Sequence, residues 1–175
     1  MTGHKTLIRF VRKTLNTSAI IFGLSIGAAN AGDWKNNEIE CLARNIYFES
    51  LNQSVMGQLA VAHVTLNRVK LNRYPDSLCG VVTDSNKKEN GKVKRHSCQF
   101  SWYCDGKKDV IHKKDKRIYK EIYNLSYVSM IPGIRILDIT DGATHYHADY
   151  VSPAWRKSKT KTVEIGDHIF YRWEK

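Results

Sequence analysis

Two apolar stripes at helical spacing, close together in the first half of the chain, restrict its fold more than any other feature. Within and just before the stretch CLARNIYFES, Ile39, Leu42 and Ile46 recur at intervals of three and four residues, which places them on one side of a helix. A second stripe follows soon after, made of Val55, Leu59, Ala62, Leu66 and Val69. The sequence therefore predicts two consecutive amphipathic helices.

Capping residues set the expected bounds of these helices. Asn36 or Asn37 can cap the first, and Ser54 can cap the second. We expect the first helix to end near residues 49 to 52 and the second to stop before Pro75.

The rest of the chain predicts one more helix and several short strands. Ile118, Ile122 and Leu125 indicate a third helix that ends before Pro132. The expected strands are residues 81–83, 99–103, 144–148, 161–165 and 168–173, with a polar loop over 84–95 and a turn at Gly166 and Asp167. Helices first and a small antiparallel sheet last make an α+β fold.

Glu49 is the first candidate for chemistry because it continues the apolar stripe of the first helix. Burial raises the pKa of a carboxyl group, so Glu49 could hold a proton near neutral pH and act as a general acid. The alternative is a structural carboxylate paired with Arg44 or Arg68. Position alone does not separate the two interpretations.

Two further stretches carry candidate ligand-binding residues. In HSCQFSWYCDG, the polar Gln99 and Ser101 alternate with the aromatic Phe100 and Trp102, a pattern that suits a sugar if the segment is a strand. The alternative is an ordinary half-buried strand with a core face.

In GATHYHADY, His145 and His147 alternate with Tyr146, so both imidazoles should lie on one face of a strand. With a third ligand they could hold zinc, but no H-E-x-x-H helix accompanies them. Hydrogen bonds to a ligand or to the sheet are the other interpretation.

The first 31 residues have the features of a secretory signal peptide. Four basic residues precede a short apolar run over residues 19–29, and Ala29, Asn30 and Ala31 form an A-x-A cleavage site. An uncleaved, weakly hydrophobic anchor is the alternative. We predict a mature domain over residues 32–175, exported to the periplasm, the cell envelope or the extracellular space, without a stable membrane span.

Charge and cysteines agree with export. Residues 1–31 contain 4 of the 28 basic side chains and none of the 17 acidic ones, so the mature domain has 24 minus 17, a net charge of +7. A positive net charge favours association with anionic polymers. Export indicates an envelope polymer rather than nucleic acid, although the basic residues could simply solvate a loop. All four cysteines follow the cleavage site, so we expect two disulfides, with Cys79–Cys104 favoured among the three connectivities.

Five ordered motifs over roughly residues 38–155 resemble the SleB-like, spore-cortex-lytic type of cell wall hydrolase. They are CLARNIYFES, GQLAVAHVTLNRV, CGVV, CQFSW with CDG, and GATHYH. The resemblance implies an α+β fold that is lysozyme-like in outline, with a glycan-binding groove between a catalytic helix and a small sheet.

The resemblance also implies a reaction, which is lytic transglycosylation of peptidoglycan between N-acetylmuramic acid and N-acetylglucosamine without a metal or other cofactor. Glu49 occupies the position of the family's acid and base. The residues expected to line the groove are Gln99, Phe100, Ser101, Trp102, Thr144, His145 and Tyr146. One departure is Gln53, where many relatives carry a second glutamate. A zinc-dependent amidase or endopeptidase and a non-catalytic envelope-binding module are the alternative functions.

Overall fold

The computed structural model describes residue 35 and residues 37–131 and 136–173. The predicted signal peptide, the possible cap Asn36 and Pro132 lie outside these residues. The helices are α1 (Glu38–Ser50), α2 (Val55–Val69), α3 (Leu78–Val82) and α4 (Lys116–Met130). The strands are β1 (Ser85–Lys87), β2 (Val93–Cys98), β3 (His145–Ala148), β4 (Thr160–Ile165) and β5 (His168–Arg172).

Helix α1 forms where the apolar stripe and its cap predict it. The Asn37 side chain accepts hydrogen bonds from the backbone N–H groups of Ile39 and Glu40, both at 3.1 Å, which satisfies two free donors of the first turn. Leu42 and Ile46 are completely buried against α2 and α4. Because α1 is enclosed by helices along most of its length, its position is fixed by packing.

Helix α2 connects α1 to the sheet. Its Ala62 packs in the helical core, whereas Ala60 and Val64 pack against Phe170 of β5. The sheet is antiparallel in the order β3-β5-β4, and Tyr146 of β3 pairs with Phe170. This confirms the predicted α+β class with helices packed on a small antiparallel sheet.

Two predicted strands are wrong. Residues 81–83 lie in and just after α3, whose first turn is capped by the Ser77 hydroxyl at 3.0 Å from the Gly80 N–H and by the Glu38 carboxylate at 2.6 Å from the Leu78 N–H. Residues 99–103 also form no strand, since Ser101–Cys104 is a short 3₁₀ helix. The predicted polar loop over 84–95 instead forms β1 and the first half of β2, which pair as a hairpin.

The expected Cys79–Cys104 disulfide is also wrong. Cys79 bonds to Cys41, which joins α3 to α1, and Cys98 bonds to Cys104 around the 3₁₀ helix. The second bond closes a loop of only six residues, so the chain after β2 must turn rather than extend. Within the described part of the chain, no helix has the length and apolar character needed to cross a membrane.

Candidate active site

Glu49 lies in the last turn of α1, half-buried at the point where the helix meets the sheet. The Tyr146 hydroxyl of β3 donates a hydrogen bond to Glu49 Oε2 at 2.7 Å. Burial raises the pKa of Glu49, while the hydrogen bond from Tyr146 and the charge of Arg68 oppose that rise. The net direction is upward, which favours the protonated form that a general acid requires.

Arg68 is a buried cation close to the Glu49–Tyr146 pair. It is 5% exposed, its Nε donates to the Thr144 carbonyl at 2.8 Å, and its guanidinium lies 4.7 Å from the centroid of the Phe100 ring. Its Nη1 has no hydrogen-bond partner among the described residues. Arg68 therefore places a positive charge near Glu49 without a direct ion pair.

The alternative role of Glu49 as a partner of Arg44 is wrong. Arg44 Nε pairs with Glu40 at 3.0 Å, and its Nη1 donates to the Asp109 carbonyl at 3.0 Å. Both contacts lie on the side of α1 that faces α4, because the Tyr119 hydroxyl of α4 donates to the same Glu40 oxygen.

Two surface depressions meet at the Glu49–Tyr146 pair. Glu49 lines the first, of about 370 Å³, which lies along the end of α1 and the loop after it. Tyr146 lines the second, of about 400 Å³, together with Arg68, Asn86, Ser97, Cys98, Gln99, His145 and Trp155. Of the described residues that line either depression, Glu49 is the only carboxylate. A chain-like ligand could occupy both depressions and cross the Glu49 carboxyl group.

Four residues of the stretch HSCQFSWYCDG were predicted to bind a sugar, and the structure places two of them at the surface and two in the core. Gln99 is exposed and lines the second depression, and Ser101 is exposed at the start of the 3₁₀ helix. Phe100 and Trp102 are 2% and 7% exposed, so the prediction that their rings face a ligand is wrong. The reason is the turn after Cys98, which directs both rings inward instead of across a strand.

Trp102 instead stabilises the helix that carries Glu49. Its ring stacks on Phe48 with 4.5 Å between centroids, and its Nε1 donates to Asn45 Oδ1 at 3.0 Å. Asn45 is completely buried and donates in turn to the Thr65 hydroxyl of α2. These buried hydrogen bonds connect the 3₁₀ helix, α1 and α2. Each polar group in the series is shielded from solvent and therefore depends on its protein partner.

Thr144 and His145 lie beside the pair at the start of β3. Thr144 is buried, and its hydroxyl is 2.9 Å from His145 Nδ1. Burial and the nearby cations Arg68, Lys159 and Arg73 lower the pKa of His145 to about 3. His145 is therefore neutral near pH 7 and can offer a ring nitrogen to the second depression, which it lines.

His145 and His147 share one face of β3, as the alternation predicts, since both rings pack against Trp155. His147 has partners at both ring nitrogens: the Tyr171 hydroxyl at 3.0 Å and the Ala148 carbonyl at 2.8 Å. Among the described residues, no three His, Cys, Asp or Glu side chains are grouped so that they could hold a metal ion. His147 makes its hydrogen bonds with groups of β3 and β5, whereas His145 contacts the Thr144 hydroxyl just before β3.

Gln53 has a structural partner across the end of the site. Its Nε2 donates to Asp167 Oδ2 at 3.0 Å, and its Oε1 accepts from the Asp167 N–H at 3.2 Å. A glutamate here would place a second carboxylate against Asp167, whereas the amide satisfies both groups. The loop after α1 is therefore fastened to the β4–β5 turn.

The sequence predicted Glu49 and Tyr146 separately but missed the contact between them. It also missed Arg68 as part of the site and named it only as a possible ion-pair partner. One signal was available, because Arg68 directly precedes Val69 in the apolar stripe of α2 and a buried arginine needs a specific role. Asn86 and Ser97 carry no comparable signal, since their place depends on the β1–β2 hairpin.

The profile of the cell wall hydrolase family matches residues 52–171. This chain belongs to the cell wall hydrolases. The match extends past the motif range of roughly 38–155 to take in nearly all of the β4–β5 hairpin, and it begins three residues after Glu49.

The curated relatives include spore cortex-lytic enzymes. Those of Halalkalibacterium halodurans and Bacillus subtilis are 26% identical over 138 residues and 25% identical over 147 residues. These alignments cover 78% and 83% of this chain, but only 35% and 41% of the two enzymes. The chain thus spans well under half the length of these relatives.

Two solved structures share the fold. The catalytic domain of the germination-specific lytic transglycosylase SleB from Bacillus anthracis is 26% identical, with a TM-score of 0.55 over 78% of this chain and 94% of that domain. The catalytic domain of the Bacillus cereus SleB protein is also 26% identical, with a TM-score of 0.50 over 78% of this chain and 91% of the other. The SleB-like resemblance is thereby confirmed.

Proposed function

We propose that this protein is an enzyme that cleaves the glycan strands of peptidoglycan between N-acetylmuramic acid and N-acetylglucosamine by lytic transglycosylation. The observation that carries the proposal is the half-buried Glu49, with its raised pKa, at the junction of two depressions. Family membership and the lytic transglycosylase catalytic domain of similar fold support the substrate and the reaction.

In the first step, protonated Glu49 donates its proton to the glycosidic oxygen as the bond to the muramoyl C1 breaks. Negative charge develops on the Glu49 carboxylate as the proton leaves. The Tyr146 hydroxyl and the buried charge of Arg68 stabilise that charge without having to reorient. Both groups are held by packing, since Tyr146 belongs to the sheet core and Arg68 is fixed by the Thr144 carbonyl.

In the second step, the Glu49 carboxylate accepts the proton of the muramoyl 6-hydroxyl while that oxygen attacks C1. The product is a 1,6-anhydromuramoyl end, and Glu49 is protonated again for the next cycle. A glycosidase that uses water or a covalent intermediate normally requires a second carboxylate. Because Glu49 is the only carboxylate among the described residues lining the two depressions, an internal hydroxyl nucleophile fits the site better.

The proposed site of action is the periplasm, the cell envelope or the extracellular space. Two disulfides within the described residues favour an oxidising compartment. The basic net charge of the chain favours contact with the anionic polymers of a cell envelope. The signal peptide over residues 1–31 stays a prediction.

Digestion of purified sacculi tests the proposal. The wild-type protein should release soluble muropeptides, and Glu49→Gln should release none, because an amide can accept the Tyr146 hydrogen bond but cannot donate a proton as an acid. Tyr127→Phe, which removes a hydroxyl from an exposed tyrosine of α4 that lines neither depression, provides an active comparison. Sacculus binding without soluble products from the wild type would instead indicate an envelope-binding module and would refute the proposal.

A further inference from the structure

A third depression, of about 410 Å³, lies beyond His145 at the end of the sheet. Trp173, Arg73, Arg172 and Leu71 form much of its wall. The His145 ring separates it from the second depression, because that ring contacts Trp155 of the second at 5.4 Å and Trp173 of the third at 5.1 Å between centroids. The third depression therefore adjoins the proposed glycan groove, with the His145 side chain between them.

Two cations converge on the Trp173 ring. Lys159 Nζ is 3.8 Å from the ring centroid, and the Arg73 guanidinium carbon is 4.4 Å from it. Burial, and after it the charge of Arg73, lowers the pKa of Lys159. Arg73 is exposed and Lys159 is half-buried, so both cations are accessible to an anionic ligand from solvent.

The described residues do not neutralise this pair. Asp141 lies at the rim of the depression, but its carboxylate pairs with Arg172. In the described part of the chain, no carboxylate lies within 4 Å of Arg73 or Lys159. The wall of the depression thus combines the uncompensated charge of Arg73 with the apolar surfaces of Trp173 and Leu71, and Lys159 adds a second cation on the Trp173 ring.

We infer that this depression binds the acidic peptide stem that a muramoyl residue carries while its glycan strand occupies the adjoining groove. A peptide stem presents carboxylates, which suit an arginine fork and a lysine ammonium, and it presents alkyl groups, which suit an indole ring. The inference rests on the proposed function, because it requires the stem to be attached to a strand held beside Glu49.

A stem peptide fits this surface better than a phosphate polymer of the envelope. Phosphate groups would use the two cations but leave the exposed part of Leu71 and the Trp173 ring without apolar contact. The stem also reaches the depression without an additional binding event, since it is covalently attached to the sugar in the groove. This tethering raises its effective concentration at the depression.

The test combines peptide binding with strand cleavage. The indole N–H signal of Trp173, assigned with Trp173→Phe, is followed by NMR during titration with a free acidic stem tetrapeptide or with a glycerol phosphate oligomer. Cleavage is measured on glycan strands that keep their stems and on strands from which an amidase has removed them.

The test variant combines Arg73→Gln with Lys159→Gln. The matched control combines Arg117→Gln with Lys120→Gln, which removes the same charges from the exposed side of α4.

The tetrapeptide should shift the Trp173 signal saturably, and the test variant should bind it about tenfold more weakly, the combined effect expected of two exposed charge contacts. The test variant should also lose about the same factor in kcat/KM on stem-bearing strands only, and the control variant should match the wild type. No tetrapeptide shift, a shift unchanged in the test variant, or a stronger response to glycerol phosphate would overturn the inference. Tetrapeptide binding without cleavage of either strand type would support the peptide site and refute the proposed function.

Discussion

Removing the Tyr146 hydroxyl should slow the proposed reaction without disturbing the sheet. The hydroxyl donates to Glu49 Oε2 at 2.7 Å, and Tyr146→Phe keeps the ring that packs near Phe170. A hydrogen bond to a charged group contributes about 1.5–3 kcal/mol, and each ~1.4 kcal/mol changes a rate tenfold. We therefore expect kcat to fall roughly ten- to hundredfold with little change in KM, because the bond is strongest when charge develops on Glu49.

The same substitution should also change the pH dependence. The hydrogen bond from Tyr146 favours the carboxylate and so lowers the pKa of Glu49, which burial otherwise raises. Without the hydroxyl, the pKa of Glu49 rises further and the acid form persists to higher pH. Since the first step requires that acid form, the alkaline limb of the kcat profile should move to higher pH.

Initial rates of soluble muropeptide release, measured from acidic to mildly alkaline pH, check both effects. Tyr150→Phe removes a hydroxyl from a tyrosine that is 85% exposed and should leave rate and profile unchanged. An unchanged rate in Tyr146→Phe, or an alkaline limb that moves to lower pH, would refute the role assigned to this hydrogen bond.

Three further predictions concern stability, measured by chemical denaturation. Trp102→Phe leaves the buried Asn45 Oδ1 without its donor and should lower the free energy of unfolding by about 1–3 kcal/mol with KM unchanged. Cys41→Ala with Cys79→Ala opens a 38-residue loop and should cost about 4 kcal/mol on the chain-entropy estimate. Glu49→Gln should be more stable than the wild type above the usual pKa range of a carboxyl group, because a carboxyl with a raised folded-state pKa loses stability as pH rises through that range and the amide does not.

Each of these has a result that would contradict it. A large rise in KM for Trp102→Phe would mean that its ring contacts the glycan after all. A double cysteine variant as stable as the wild type would show that the Cys41–Cys79 bond does not constrain the unfolded chain. A Glu49→Gln variant less stable than the wild type at neutral pH would show that the carboxylate is better accommodated in the fold than its burial indicates.

Elements fixed by local sequence could be predicted. The presence of α1, α2 and α4 follows from apolar periodicity, and the first residues of α1 and α2 follow from caps such as Ser54, whose hydroxyl accepts from the Gly57 N–H. Helix α2 ends at Val69, several residues before the expected stop at Pro75, and Asp115 at the start of α4 makes no side-chain cap. The strands of the β3-β5-β4 sheet are predicted for the same reason, since the turn at residues 166 and 167 joins two short alternating runs.

Elements that depend on distant partners could not be predicted. The run LCGVV has the composition of a strand, but it is helical because Glu38, 40 residues away from Leu78, accepts its first free N–H. The Glu38 contact has no signature in the local sequence. The segment 99–103 is a different case: it alternates like a strand, but the six-residue Cys98–Cys104 loop bends it and directs Trp102 inward. Both cysteines lie in one short stretch, but their pairing is one of three connectivities among which the sequence does not decide.

The candidate site shows the same division. The helical stripe predicted that Glu49 faces inward, and the alternation in GATHYH predicted that Tyr146 faces away from the two histidines. The two residues are 97 positions apart in the chain, and their contact depends on the packing of α2 against both α1 and the sheet. The roles of Gln99 and His145 in binding glycan stay predictions, supported by their place in the second depression.

In the proposed reaction, Glu49 directs an internal hydroxyl, and not water, to the muramoyl C1. Digestion of purified sacculi in water enriched in oxygen-18, followed by mass spectrometry of the muropeptides, tests it most directly. Attack by the 6-hydroxyl should give muramoyl ends that are one water lighter than reducing ends and carry no heavy oxygen. Reducing muramic ends labelled with one heavy oxygen would show hydrolysis and would contradict it.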